Sequence, residues 1–224
     1  MSINVIIFGA SGMVGAGALL ECLADPRVHS VRVIGRSSCG VTDPKLEEIL
    51  HQDFFDYTAL QPRLAGLDAC FFCLGVSAAG MDEAKYQHLT YDLTLAAARA
   101  LLALNPGLTF CYISGAGTDS TERGRSMWAR VKGKTENALL GLPFKAAFMF
   151  RPGYIQPMKG VQTKVALYKA VYTVLSPLYP VLRRLSPGSF TTSVNVGRAL
   201  INVADRGYPR NILVAEDINL AADG

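Results

Sequence analysis

The 224-residue chain has three histidines and a single tryptophan, and no run of Lys or Arg longer than the pair Arg183 and Arg184. Its 22 Lys and Arg outnumber its 18 Asp and Glu by only four. That is too slight an excess to argue for a nucleic-acid surface. Long hydrophobic runs are also missing. The most apolar stretch, Val161 to Leu185, is broken by Lys164, Lys169, Pro177 and Pro180. It falls short of the roughly 20 uninterrupted apolar residues of a membrane span, and each proline disrupts or restarts a helix. The first residues, MSINVIIFGA, lack a basic n-region and a small-residue cleavage site. They read as mature sequence rather than a secretory signal, and the expected compartment is cytoplasmic. Five cysteines, an odd number, fall mostly in apolar runs such as ACFFCLG, which suits reduced, buried thiols better than a disulfide framework. Cys70 and Cys73 have CxxC spacing, but a strand turns them to opposite faces. No second pair or histidine cluster completes a metal site, so no metal is expected.

Half the residues are apolar, enough for one substantial core, and the length favours a single domain over residues 1–224. Short β-rich runs alternate with helical patterns from residue 3 to about residue 151. That alternation predicts an α/β fold, a parallel sheet wrapped by helices. INVIIFG, SVRVIG, LDACFFCLG, TFCYIS and KAAFMFRPG are near-continuous apolar runs, as strands buried on both faces should be. EEILHQDF is a weaker sixth. Between strands, DEAKYQHLTYDLTLAAARALLALNP places Leu89, Leu93, Ala97, Ala100 and Leu104 on one helical face. Residues 1–151 form the expected core and 152–224 a substrate-side lobe, with a polar link SPGSFTTS, a helix VNVGRALINVA and a last strand NILVA. Val161, Val165, Tyr168, Tyr172 and Leu175 make a helical stripe in this lobe. The stripe packs on the core, forms a homodimer face or lines an apolar pocket.

The first strand runs directly into GASGMVG, where Gly9, Gly12 and Gly15 form a GxxGxxG loop between strand and helix. The first glycine permits a tight turn, the second admits a pyrophosphate to the backbone, and the third lets helix and strand approach. Ser11, Met13 and Val14 then offer free N–H groups at the positive end of a helix dipole. A strand–loop–helix context makes this pattern informative, and it predicts a bound dinucleotide.

The second strand ends in Arg36 and Ser37, where an NAD site usually places an acid for the ribose 2′-hydroxyl. A guanidinium suits a 2′-phosphate, so NADP is expected in preference to NAD. Asp53 can accept from the adenine amino group and Phe54 can cover its ring. The turn Leu74, Gly75, Val76 brings backbone beside the adenosine ribose and phosphates.

In chain order GASGMVG, the strand end IGR, YISGAG, VKGKTE and RPG resemble the short-chain dehydrogenase/reductases, in their extended or atypical NAD(P)-binding branch. The chain is most similar there to the Tat-interacting oxidoreductase-like proteins and the NmrA-like sensors. The resemblance covers nearly the whole chain and implies a Rossmann-type doubly wound sheet with a small C-terminal substrate-side lobe. By resemblance Ser114 orients substrate, Lys132 binds the nicotinamide ribose, and Arg151, Pro152 and Gly153 lie against the cofactor. The family's catalytic tyrosine stands four residues before the lysine, and Trp128 occupies that place. Positions 128 and 132 share a helical face. Indole donates a hydrogen bond but has no proton to exchange near neutral pH.

Three readings follow. An oxidoreductase of a hydrophobic carbonyl compound takes its acid from Tyr154, Tyr112, the more distant Tyr86, or water. A redox sensor or interaction protein holds the dinucleotide without turnover. In the third reading Trp128 is a core aromatic and the site serves no ligand.

Overall fold

The computed structural model describes residues 2–161 and 187–224. Each apolar run named above becomes a strand: β1 (Ile3–Phe8), β2 (Val28–Gly35), β3 (Leu46–Leu50), β4 (Ala69–Phe72), β5 (Thr109–Ile113) and β6 (Ala146–Arg151). A short ribbon of β7 (Tyr154–Gln156) and β8 (Phe190–Thr192) follows, and β9 (Ile212–Val214) is the last strand. Strands β3, β2, β1, β4, β5, β6 and β9 lie in that order in one sheet, and every neighbouring pair is parallel. This is a Rossmann-type α/β fold. Strand order reverses between β1 and β4, where a crevice opens at the carboxyl ends of the strands.

Helices cover both faces: α1 (Met13–Ala24), α2 (Gln61–Leu64), α3 (Glu83–Gln87), α4 (Leu93–Leu104), α5 (Met127–Leu140), α6 (Ser193–Arg206) and α7 (Ala215–Asp223). Alternate strand residues divide the core in two. Val5, Ile7, Val33, Phe71 and Phe150 pack with Leu19, Val196, Leu200 and Ile218 of α1, α6 and α7. Ile6, Phe8, Ile34, Phe72 and Phe110 pack with Ala97, Leu101 and Leu139 of α4 and α5. Cys70 belongs to the second layer and Cys73 packs on the first, the opposite facing their spacing predicts. Helix α6, expected in the substrate-side lobe, packs against α1, where a side chain at Gly17 would lie 2.8 Å from Ser193 Cβ.

Two expectations change. The helix read through residues 83–104 contains a π-helical turn at His88–Asp92. That extra residue shifts the buried face to Tyr86, Thr90, Thr94, Leu95, Ala97, Ala98 and Leu101, while Leu93, Ala100 and Leu104 of the expected stripe pack half-buried at its margin. Such turns are frequent where a helix serves a site. The polar link also supplies β8, whose Thr191 and Thr192 are buried through pairing with β7. Of the stripe from Val161 to Leu175 all but Val161 lies outside the described residues. Among the described residues no helix is long and apolar enough to cross a membrane.

Candidate functional site

The glycine loop is built by close approach. Gly9 has φ +81°, and a Cβ there would stand 2.8 Å from Leu74 N. A Cβ on Gly15 would collide with the Gly9 carbonyl. Gly12 N–H donates to that carbonyl at 2.9 Å and closes the turn. No side chain caps α1. The N–H groups of Met13 and Val14 therefore lie in the first turn, where a helix offers them no acceptor of its own. Both side chains pack on the core, so any ligand contact from these two residues is through backbone.

Three neighbouring cavities follow the carboxyl edge of the sheet. The first, about 270 Å³, is lined by Gly9, Ser11, Arg36, Ser37, Cys39 and Leu74 among others. The second, about 510 Å³, shares Arg36, Phe54 and Leu74 with it and adds Asp53, Gly75 and Val76. The third, about 530 Å³, begins at Val76 and is lined by Tyr86, Ser114, Trp128, Lys132, Pro152 and Gly153. Three wall residues join the first cavity to the second, and Val76 is common to the second and third. Gly9, Ser11, Arg36, Ser37, Asp53, Phe54, Leu74, Gly75, Val76, Ser114, Trp128, Lys132, Pro152 and Gly153 all border this row of cavities.

Arg36 is exposed and, among the described residues, has no acidic partner. The acid absent from the end of β2 arrives from β3. Glu48 accepts from Cys39 N–H at 2.6 Å and from Ser38 Oγ at 2.8 Å, and the Cys39 thiol, followed by these donors, holds its carboxyl below the usual range. Its oxygens fasten the loop after Arg36 instead of facing the cavities. Asp53 accepts from Phe55 N–H at 2.9 Å. Phe54 is buried edge-on to Phe8. Phe55, which sequence reasoning passed over, is the exposed ring, stacked on His88 with centroids 4.4 Å apart.

At the other end, strand β5 delivers Ser114. Its N–H donates to Phe150 O at 2.9 Å and its Oγ to the same carbonyl at 3.0 Å, so the hydroxyl proton is already placed and its oxygen remains an acceptor. Lys132 Nζ donates to the Ser114 carbonyl. Burial pulls this ammonium down to about 8, opposed by the Glu136 carboxylate. Trp128, one turn earlier on α5, lies beside the glycine-rich loop after β5, where a side chain at Gly117 would stand 3.3 Å from Cη2.

Arg151 does not border these cavities. Its guanidinium forks onto the buried Glu136 and reaches Ser120 Oγ at 2.5 Å, because an uncompensated carboxylate under α5 would be costly. In this geometry the guanidinium is engaged by that ion pair. Two of the proposed acids are displaced as well. Tyr112 is sealed in the core between β4 and β6, and burial drives its phenol far upward. Tyr154 donates to Gln156 Oε1 at 3.0 Å and packs on Phe190. Tyr86, the most distant candidate by sequence, borders the cavity of Ser114 and Lys132. Its signal was its place four residues ahead of Thr90 on the face that the π turn buries.

No model of a known protein family matches the chain. The mitochondrial protein fmp52 of Emericella nidulans is 31% identical over 160 residues, 68% of this chain and 66% of that protein, a little under two thirds of its length. HTATIP2 of Rattus norvegicus is 28% identical over 156 residues, 68% of this chain and 62% of that protein. A crystal structure of the Bordetella bronchiseptica enzyme WbmH in complex with NAD+ shares the fold, with TM-score 0.62 and 19% identity over 92% of this chain and 73% of that one. The fold and these relatives fit the resemblance to the extended, atypical short-chain dehydrogenase/reductases. The cytoplasmic expectation is overturned, since several fungal relatives are named as mitochondrial proteins. The missing secretory signal argued against export alone, and reduced thiols suit either compartment.

Proposed function

We propose that this chain binds NADP(H) and reduces a small apolar carbonyl compound. One observation carries the reading: a row of neighbouring cavities leads from Arg36, which has no acidic partner among the described residues, to Ser114 and Lys132. In this reading the adenosine lies between Phe54, Phe55 and Leu89, with Asp53 accepting from the adenine amino group. Arg36 and Ser37 hold the 2′-phosphate. The N–H groups opening α1 take the pyrophosphate, since they are unbonded donors at a helix start. Lys132 donates to the nicotinamide ribose, and Pro152 and Gly153 close the floor. A bound nicotinamide supplies hydride chemistry. The chain orients the acceptor carbonyl, with the Ser114 Oγ lone pairs facing substrate, and surrounds it with Val76, Ala78, Ala79, Ala116 and Trp128. The short side chains at 76, 78, 79 and 116 leave room for a compact carbonyl compound. We assign residues 1–151 to cofactor binding and the chain from residue 152 to the substrate side, within one domain.

Titration with NADPH and NADH, followed by assay of NADPH oxidation against apolar aldehydes and ketones, tests the reading. Tight NADPH binding with turnover supports it. Trp128 in the tyrosine position favours a second reading, a sensor that holds NADP(H) without using it. Tight binding with no turnover on any carbonyl would select that one.

A further inference from the structure

We propose that Tyr86, on α3, replaces the missing tyrosine of α5 as proton donor to the substrate carbonyl, an inference that rests on the reductase reading above. Three phenols stand within a few residues of the site's elements, and the fold separates them. Tyr112 is enclosed by the sheet, and Tyr154 turns to Gln156. Tyr86 alone of the three borders the cavity that holds Ser114, Lys132 and Trp128. Its ring is fixed: only 2% of its surface is exposed, and α3 opens on an Asp82 cap that accepts from Lys85 N–H at 2.8 Å. The next residue, Gln87, accepts from Lys134 of α5 at 3.3 Å, which joins α3 to the helix that carries Trp128 and Lys132. The π turn directly after Gln87 sets the azimuth of α3 relative to α4, and Tyr86 falls on its buried side. Among the described residues, Tyr112 of β5, whose ionisation Tyr86 opposes, and Lys132 of α5, on the wall of the same cavity, are titratable neighbours of the phenol.

The step balances without a further reactant. The carbonyl carbon accepts a hydride, with both electrons, from C4 of the reduced nicotinamide. The carbonyl π bond breaks, and its oxygen takes the Tyr86 proton as the O–H bond forms. Alcohol and oxidised nicotinamide result, and the phenolate is reprotonated from solvent. Lys132 favours that transient phenolate as a nearby cation.

Four proteins test this: parent, Tyr86→Phe, Trp128→Tyr and the double variant. Tyr86→Phe should lower kcat about 100-fold, within the range a positioned acid contributes, while NADPH affinity stays within about twofold of the parent. Trp128→Tyr in the Tyr86→Phe background should restore at least about tenfold, because the phenol returns from the other wall. Ultraviolet titration gives a readout without turnover: NADP+ should shift the ionisation of one phenol to lower pH in the parent and of none in Tyr86→Phe. If Tyr86→Phe folds poorly, difluorotyrosine at position 86 should move the alkaline limb of kcat/KM downward with the more acidic phenol. Parent-like kcat in Tyr86→Phe, or an unmoved limb with difluorotyrosine, overturns the Tyr86 proposal and leaves the reductase reading standing. A parent that binds NADPH and reduces no carbonyl ends both.

Discussion

Lys132 Nζ hydrogen-bonds to the main-chain carbonyl of Ser114, and so ties the middle of α5 to the end of β5. The side chain proposed to bind ribose is thus positioned by the residue proposed to face substrate. Because burial holds its ammonium near 8 in the free protein, a bound polyanion should raise it again by favouring the charged form. Cofactor binding is then coupled to proton uptake above about pH 8, where the free protein has lost the proton, and to little uptake near pH 6.5, where both states keep it. Calorimetry in buffers of different ionisation enthalpy reads this directly. Equal enthalpies in all buffers at pH 8.5 would place Lys132 away from the cofactor. Lys132→Ala should weaken NADPH binding, whereas Ser114→Ala should spare it.

Arg36 should set cofactor preference. A charge-assisted phosphate contact contributes about 1.5 to 3 kcal/mol, one to two decades in Kd. NADPH is expected to bind that much more tightly than NADH, and Arg36→Asp to erase the difference. The Glu48 carboxylate, already occupied by Ser38 and Cys39, should not compete with the phosphate, so Glu48→Gln should leave the ratio of the two affinities unchanged. Equal affinities in the parent would remove Arg36 from the site.

Trp128→Tyr restores a phenol one turn ahead of Lys132. Positioned acid catalysis contributes roughly 10² to 10⁴ in rate, and imperfect placement lowers the expectation to about tenfold over Tyr86→Phe when the two changes are combined; with Tyr86 in place, Trp128→Tyr alone should stay near the parent rate in NADPH oxidation with apolar aldehydes. Loss of activity in this variant would show that the indole ring is a needed wall of the cavity.

The ion pair of Arg151 and the fully buried Glu136 yields a stability prediction in place of a binding one. Arg151→Ala strands a carboxylate and should cost about 3 to 5 kcal/mol. The paired change Glu136→Gln with Arg151→Met should recover much of it. Urea titration measures both, and NADPH affinity of the folded fraction should be unaltered. A selective loss of cofactor affinity would return Arg151 to the cofactor site.

The central strands are legible in sequence because burial on both faces makes them nearly continuous apolar runs, whereas β3, at the sheet edge with Glu47, Glu48 and only Ile49 buried, leaves the weaker signal before Asp53. The glycine loop was legible because steric exclusion at Gly9 and Gly15 leaves one residue type. Facing was harder to read. The helical stripe from Leu89 assumed 3.6 residues per turn, and one π turn defeated it. Arg151 follows a motif but answers a charge on another element, Glu136, that no local pattern reveals. Phe55 and Phe54 are adjacent and chemically alike, so only the packed chain decides which ring is covered. Tyr86 was ranked last because sequence distance from Lys132 said nothing of the approach of α3 to α5.

Strand β9 has a consequence for how the protein is made. It completes the sheet by pairing with β6 through Met149, Phe150 and Arg151, and Phe150 is also the residue whose carbonyl anchors Ser114. During synthesis β6 therefore waits as an open edge, unable to be sealed until residues 212–214 have left the ribosome. An exposed edge of that kind recruits stray strands. Nascent chains halted before Ile212 should accordingly be held by chaperones or aggregate, and release should fall sharply once Val214 has emerged. Chains halted at residue 205 that resist protease as well as the full-length protein would show that β6 needs no such partner.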